Sequence, residues 1–209
     1  MNDWRRSRLA SILSALEDGK NVLITGVRGS GKSTCVAALA SDGRVDLDDP
    51  RFAPQPSVKT LDVLLREALR GEPRGEIVLV LDEIDRVTGW RDWIGKTYKT
   101  GARFVVTHSG TLDPSDVPGE LHHERFLPLG LHEVFGKLTD KVVDYEKSSL
   151  ALDGYLHRGG FHEAVGVDDP EPVLLGIFER ILYQDVVRRQ EVREIGKLTA
   201  VAVNLMKTT

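Results

Sequence analysis

Between an apolar run, Asn21-Val-Leu-Ile-Thr25, and a helix-favouring stretch from Lys32 to Ala40 stands the segment Gly26-Val-Arg-Gly-Ser-Gly-Lys-Ser33. No other feature of the chain restricts its fold so much. Gly26, Gly29 and Gly31 permit backbone turns closed to other residues, and the spacing G-x-x-x-x-G-K-S between a strand and a helix lets successive amides converge on phosphate oxygens. The helix start adds its positive dipole end. Gly26, Val27, Arg28, Gly29, Ser30, Gly31, Lys32, Ser33 and Thr34 are therefore expected to bind ATP. Lys32 is expected to reach the outer phosphates, and Ser33 to offer its hydroxyl to Mg²⁺. Such a loop belongs at the carboxyl edge of a parallel sheet.

The rest of the first half agrees with that fold class. Leu9, Ile12, Leu13 and Leu16 recur at helical spacing behind Asp3, a plausible N-cap, and the pattern stops at Gly19. Val45 and Leu47 alternate with acids before a loop from Pro50 to Pro56, and Val58, Leu61, Leu64, Leu65 and Leu69 mark a further helix. Ile77 to Leu81 reads as a strand buried on both faces, followed by a helix around Trp90 to Thr100 and a strand from Ala102 to Thr107. Alternating strands and helices predict an α/β fold with a parallel, doubly wound sheet. After Gly110 the breakers Pro114, Pro118, Gly119, Pro128 and Gly130 interrupt the pattern, β signals thin out, and helices are expected to dominate. Leu131, Val134, Phe135 and Leu138 form one stripe; Leu174, Ile177, Phe178, Ile181 and Leu182 form another, ending near Arg189. The expected division is a nucleotide-binding domain over 1–130 and a small helical C-terminal region over 131–209, with the boundary between 127 and 140.

A chain of 209 residues suits one core of this kind and not two. With 41% hydrophobic and 29% charged residues it belongs among globular chains, and a net charge of −4 gives no overall basic footprint for nucleic acid or anionic membranes. The start shows no secretory pattern and the longest apolar stretch is far below membrane-spanning length, so a cytoplasmic location is expected. The lone Cys35 reads as a small core residue.

Asp82 and Glu83 follow the strand Ile77 to Leu81, so both should emerge beside the glycine-rich loop. Asp82 is expected to join Ser33 in holding Mg²⁺, and Glu83 to orient and deprotonate a water attacking the γ-phosphate, with Asp85 as competitor. Thr107-His-Ser-Gly110 ends the next strand at the same edge, and Ser109 is the chosen γ-phosphate sensor. His108, His122, His123 and His132 show no metal spacing and read as surface or helix-terminal histidines. Asp185 sits at helical spacing from Ile181 and Phe178, which predicts a buried pair with an arginine.

GVRGSGKST, VDLDDPR, LVLDEIDRVTGWRDWI, RFVVTHSG, PLGLHEVF, YLHRGGFHEAV and ILYQDVVRR, in that order, resemble the archaeal and bacterial ATPases of the AAA superfamily, in which a P-loop domain precedes a largely helical region. The resemblance implies that Lys32 and Ser33 are the P-loop pair, Asp82 and Glu83 the acidic pair, Ser109 the sensor and Arg125 an arginine finger. His108 replaces the family's usual glycine, Gly160-Phe-His162 replaces the commoner G-G-F-P, and relatives usually continue past the point matching Thr209. The expected function is hydrolysis of ATP coupled to a conformational change in the helical region, with an unknown protein or nucleic-acid partner or a second copy of the chain as the expected partner. The competing readings are a nucleotide-dependent interaction module with little turnover, and a P-loop kinase.

Overall fold

The computed structural model describes residues 3–52, 55–70, 77–97, 100–110, 112, 121–135, 145–187 and 192–207. The breaks at Pro114, Pro118 and Gly119 and the helix positions Leu138 and Arg189 lie outside the described residues. Among the described residues, five strands, β1 (Asn21–Gly26), β2 (Gly43–Asp46), β3 (Ile77–Asp82), β4 (Ala102–Ser109) and β5 (Leu121–Arg125), form one sheet in the order β2-β3-β4-β1-β5. Each neighbouring pair is parallel.

Side-chain alternation along these strands divides the core into two layers. Leu23, Leu79, Leu81, Phe104 and Val106 face one side, where α3 (Val58–Arg70) and α4 (Trp90–Thr97) bury Leu61, Leu65, Trp93 and Ile94. Val22, Ile24, Val80 and Val105 face the other, where α1 (Asp3–Glu17) and α2 (Lys32–Val36) bring Ile12, Cys35 and Val36. The sheet is therefore doubly wound, and Cys35 lies in its core. Trp93 stacks edge-on against Phe104 at 5.2 Å and donates its Nε1–H to Asp62 Oδ1 at 2.7 Å, which gives the indole a polar partner as burial requires. The helices α5 (Leu131–Phe135), α6 (Tyr145–Arg158), α7 (Glu171–Arg180), a π-helical turn (Ile181–Val187) and α8 (Ile195–Lys207) follow among the described residues.

The largest departure from the sequence reading is β5, a strand in the part expected to be helical. Its residues Leu121-His-His-Glu-Arg125 lack the apolar signal because it is an edge strand whose polar side chains find specific partners. Glu124 accepts a hydrogen bond from Ser11 of α1 and lies 2.8 Å from His122, while His123 Nε2 lies 2.8 Å from Thr25 Oγ1. These histidines are thus part of the sheet. His108 is likewise neither superficial nor helix-terminal: it sits buried on β4 with its ring 6.2 Å from that of Trp90. The helix expected through Ala40 ends at Val36, since Ala38 and Leu39 donate to carbonyls only three residues back.

Candidate nucleotide-binding site

All three loop glycines adopt positive φ: 151° at Gly26, 83° at Gly29 and 91° at Gly31. A side chain at Gly26 would place its Cβ 2.1 Å from the carbonyl oxygen of Phe126, so β1 turns into the loop only because that atom is missing. Lys32 bends back over the loop and donates to the carbonyls of Gly26 at 2.8 Å and Val27 at 3.2 Å. Its burial lowers the ammonium pKa, against the raising effect of Glu83.

The carboxyl ends of β3 and β4 meet the start of α2 in one hydrogen-bonded series. Ser33 Oγ donates to Asp82 Oδ1 at 3.2 Å, and the Thr107 hydroxyl donates to that same oxygen while accepting the Glu83 amide at 2.9 Å. Ser109 Oγ donates to Glu83 Oε1 at 2.7 Å. Glu83 has φ 58° and ψ 50°, the only positive φ at a non-glycine residue among those described, a conformation that costs about 1–2 kcal/mol and persists where surrounding contacts impose it. Glu83 Oε2 is buried and has no hydrogen-bond partner among the described residues. Burial pushes the Glu83 carboxyl up to about 6, with the charge of Asp85 adding to the rise and Arg28, Ser109 and Lys32 opposing it.

The helical region reaches this loop directly. Leu129 donates its amide to the Gly160 carbonyl at 2.7 Å, and Gly160 lies so close to Leu129 that an added Cβ would stand 2.1 Å from the Leu129 oxygen. Phe161 and Ile177 close over Gly29, while His162 lies 3.2 Å from both the Gly29 oxygen and Thr34 Oγ1. A cleft of about 240 Å³ is lined by the loop, Glu83, His162, Glu163 and Arg180, and the last two form an ion pair of 2.7 Å. Asp185, on the π-helical turn, pairs with Arg28 at 3.3 Å, so the arginine partner expected for it belongs to the glycine-rich loop itself.

Of the residues singled out from sequence, Lys32, Ser33, Asp82, Glu83 and Ser109 therefore stand together. Ser109 touches Glu83, and the site also holds Thr107, His162 and Arg180, none of which was given a role, and the pairs of Arg28 with Glu83 and Asp48, which were not foreseen. Arg125 does not join them: it is exposed at the end of β5, beside Thr25 in register and outside the lining of the cleft. The Ser33 hydroxyl and the Asp82 carboxylate form an oxygen donor pair at the sheet edge, which fits Mg²⁺, an ion that takes one or two protein oxygens and completes its shell with phosphate and water.

This sheet order, loop and acidic strand end define an α/β P-loop nucleotide-binding protein of the ATPase type. A family model described as an AAA domain matches residues 18–135, more than half of the chain, and the chain belongs to that family. No curated protein matches the sequence. Among solved structures, a Walker-type ATPase of Pyrococcus abyssi is similar over 93% of this chain and 76% of its own, with a TM-score of 0.54 at 12% identity, a likeness of fold. A STAND protein with a tetratricopeptide repeat sensor from Pyrococcus horikoshii is similar at TM-score 0.46 and 15% identity, over 84% of this chain and 32% of that one. Drosophila ORC bound to AT-rich DNA and Cdc6 gives 0.43 at 12% identity, over 87% and 81%. No helix among the described residues is long and apolar enough to cross a membrane.

Proposed function

We propose that the chain binds MgATP and hydrolyses it to ADP and phosphate, and that hydrolysis drives a change in how residues 131–209 sit on a nucleotide-binding domain formed by 1–130. The observation that carries this reading is the series Ser33, Asp82, Thr107, Glu83 and Ser109, which joins the start of α2 to the ends of β3 and β4 around one buried, upward-shifted carboxyl. Lys32 and the loop amides hold the phosphates, and Ser33 with Asp82 holds Mg²⁺. When bound, that ion offsets charge on the phosphate oxygens. Glu83 receives a proton from the attacking water at Oε2, the oxygen not taken by Ser109. A pKa near neutrality suits that task better than that of an ordinary carboxylate.

Arg125 lies outside the cleft, so the arginine-finger role implied by the resemblance requires a neighbouring copy of the chain. The test is phosphate release from MgATP, without added acceptor, over a wide range of protein concentration. Steady release supports hydrolysis, and turnover per chain that does not rise with concentration removes Arg125. Tight binding with no release at any concentration favours the interaction-module reading, to which the direct contact of His162 and Asp185 with the loop lends support. Release of ADP only in the presence of a small acceptor favours a kinase.

A further inference from the structure

Arg28 is the third residue of the glycine-rich loop, and its guanidinium is largely buried among carboxylates from three separate elements. One prong is engaged: Nη2 donates to Asp185 Oδ1 on the π-helical turn at 3.3 Å. The other lies between two carboxylates, and Arg28 itself lines the cleft. Nη1 stands 3.5 Å from Glu83 Oε1 and 3.7 Å from Asp48 Oδ2, ion-pair distances at which no hydrogen bond is made among the described residues. Asp48 is already held by Arg86 at 2.7 Å, and Glu83 Oε1 by Ser109 at 2.7 Å. Arg28 Nε is buried with no hydrogen-bond partner among the described residues.

Burying a guanidinium with donors unused is costly, and such donors mark a place for anionic oxygens. Nε has no partner and Nη1 makes only these long ion pairs among the described residues, and Arg28 shares the cleft lining with Lys32 and Glu83, where the reacting end of a nucleotide would lie. A planar guanidinium with one edge held has the geometry that phosphoryl oxygens accept.

Resting on the ATPase reading above, we propose that Arg28 is the cation that binds the terminal phosphoryl group within this chain's own site, and that Asp185 is its positioning residue. In the step it assists, the water oxygen bonds to the γ-phosphorus and the bond to the β-bridging oxygen breaks. That electron pair leaves with ADP, and the water's proton goes to Glu83. Arg28 stabilises the charge on the transferring group, and Asp185 keeps the prong aimed. Since Asp185 belongs to the helical region, full turnover requires that region to be seated on the loop. Nucleotide state and helical-region position are thereby coupled in both directions.

The test uses the full chain and its variants Arg28→Ala, Arg28→Gln, Asp185→Asn and Arg28→Ala/Asp185→Asn. Calorimetry gives the affinities for ADP and for a non-hydrolysable ATP analogue, and phosphate release gives kcat and KM. Arg28→Ala is expected to bind ADP within a few fold of the parent, to lose roughly tenfold or more of its affinity for the analogue, and to turn over about 10³-fold more slowly, the lower end of what such a cation contributes. Asp185→Asn is expected to lower kcat about tenfold with KM and ADP affinity near parental, and to have no further effect once Arg28 is gone. A purely structural Asp185 would instead add its effect in the double variant, which overturns its positioning role.

Turnover at or above the parental rate in Arg28→Ala would mean that Arg28 restrains Glu83, and overturns the proposal. So does an unchanged ratio of analogue to ADP affinity. If Arg28→Ala no longer binds ADP, Arg28→Gln decides by the same ratio, because it keeps a donor for Asp185 but carries no charge. If the parent releases no phosphate at all, the hydrolysis reading fails by itself, and the affinity ratio still decides whether Arg28 meets the terminal phosphoryl group.

Discussion

The sheet and the helical region are stabilised in different ways. Both faces of β1, β3 and β4 are covered, and Val22, Leu23, Ile24, Val80, Phe104, Val105 and Val106 are fully excluded from solvent. In the helical region α8 buries no residue, and Leu150 and Leu156 of α6 are each 72% exposed. Its buried hydrophobic residues are Ala164, Ile177 and Leu182 among those described, and Ile177 packs over Gly29 of the glycine-rich loop. The sheet thus draws its stability from its own layers, whereas the helical region gains much of its seating from contacts with Leu129, Gly29, Thr34 and Arg28. An element held in part through the nucleotide loop is one whose position nucleotide can change.

Changes in the sheet and its edge should give the largest effects. Lys32→Ala is expected to remove detectable ATP binding in calorimetry, because the loop amides alone offset too little of the triphosphate charge; unchanged affinity would displace the phosphate site from this loop. Phe104→Ala, in the fully buried layer against Trp93, should cost about 3–5 kcal/mol in denaturant unfolding. A loss below about 1 kcal/mol would mean that the two regions are not packed so differently.

Glu83→Gln separates binding from chemistry. It should keep ATP affinity within a few fold while phosphate release falls by roughly 10² or more. The parental kcat/KM should rise with pH through an inflection near 6, the carboxyl's value in its setting of Arg28, Lys32, Asp85 and Ser109, and the inflection should vanish in the variant. The same shift has a stability consequence. A carboxyl raised from 4.5 to about 6 on folding destabilises the fold as pH climbs through that interval. Glu83→Gln should therefore unfold at higher denaturant than the parent at pH 7.5, and this advantage should be gone at pH 4.5. A variant less stable than the parent at pH 7.5 would contradict the raised carboxyl.

Much of the sheet was legible because its information is local. Ile77 to Leu81 is a continuous apolar run ending in acids, and Gly26 to Ser33 carries its meaning in eight adjacent residues. What was not legible depends on distant partners. β5 has polar residues at most positions, and they become acceptable in a strand only through Ser11 and Thr25. Asp185 was legible as half of an ion pair, but its partner lies 157 positions away and periodicity cannot identify it. Thr107 sits in a readable strand, yet its bridge between Asp82 and the Glu83 amide arises only once β3 and β4 are adjacent.

A change in the contact between the two regions should cost less than one in the core. At Gly160 an added methyl meets the Leu129 backbone, which cannot swing aside as a side chain can. Gly160→Ala should cost about 1–3 kcal/mol through that overlap. It should also raise protease sensitivity in the helical region, leaving the near-ultraviolet signal of Trp93 against Phe104 intact. Equal loss of both signals would show that the regions unfold as one unit.

The smallest effect is expected on the outer face of α6. Leu156 is 72% exposed, and glutamine has nearly the same helix propensity as leucine, so Leu156→Gln removes apolar surface that water already reaches and leaves the backbone preference unchanged. Its unfolding free energy should change by no more than about 0.5 kcal/mol in either direction. Measuring the unfolding midpoint over a hundredfold range of protein concentration gives the result its value. If the parental midpoint rises with concentration and Leu156→Gln abolishes the rise, this face is buried against another copy in solution. The helical region would then be stabilised by that contact as well as by the nucleotide loop. If neither chain depends on concentration and the shift stays small, the contrast between a self-sufficient sheet and a helical region seated through the loop holds.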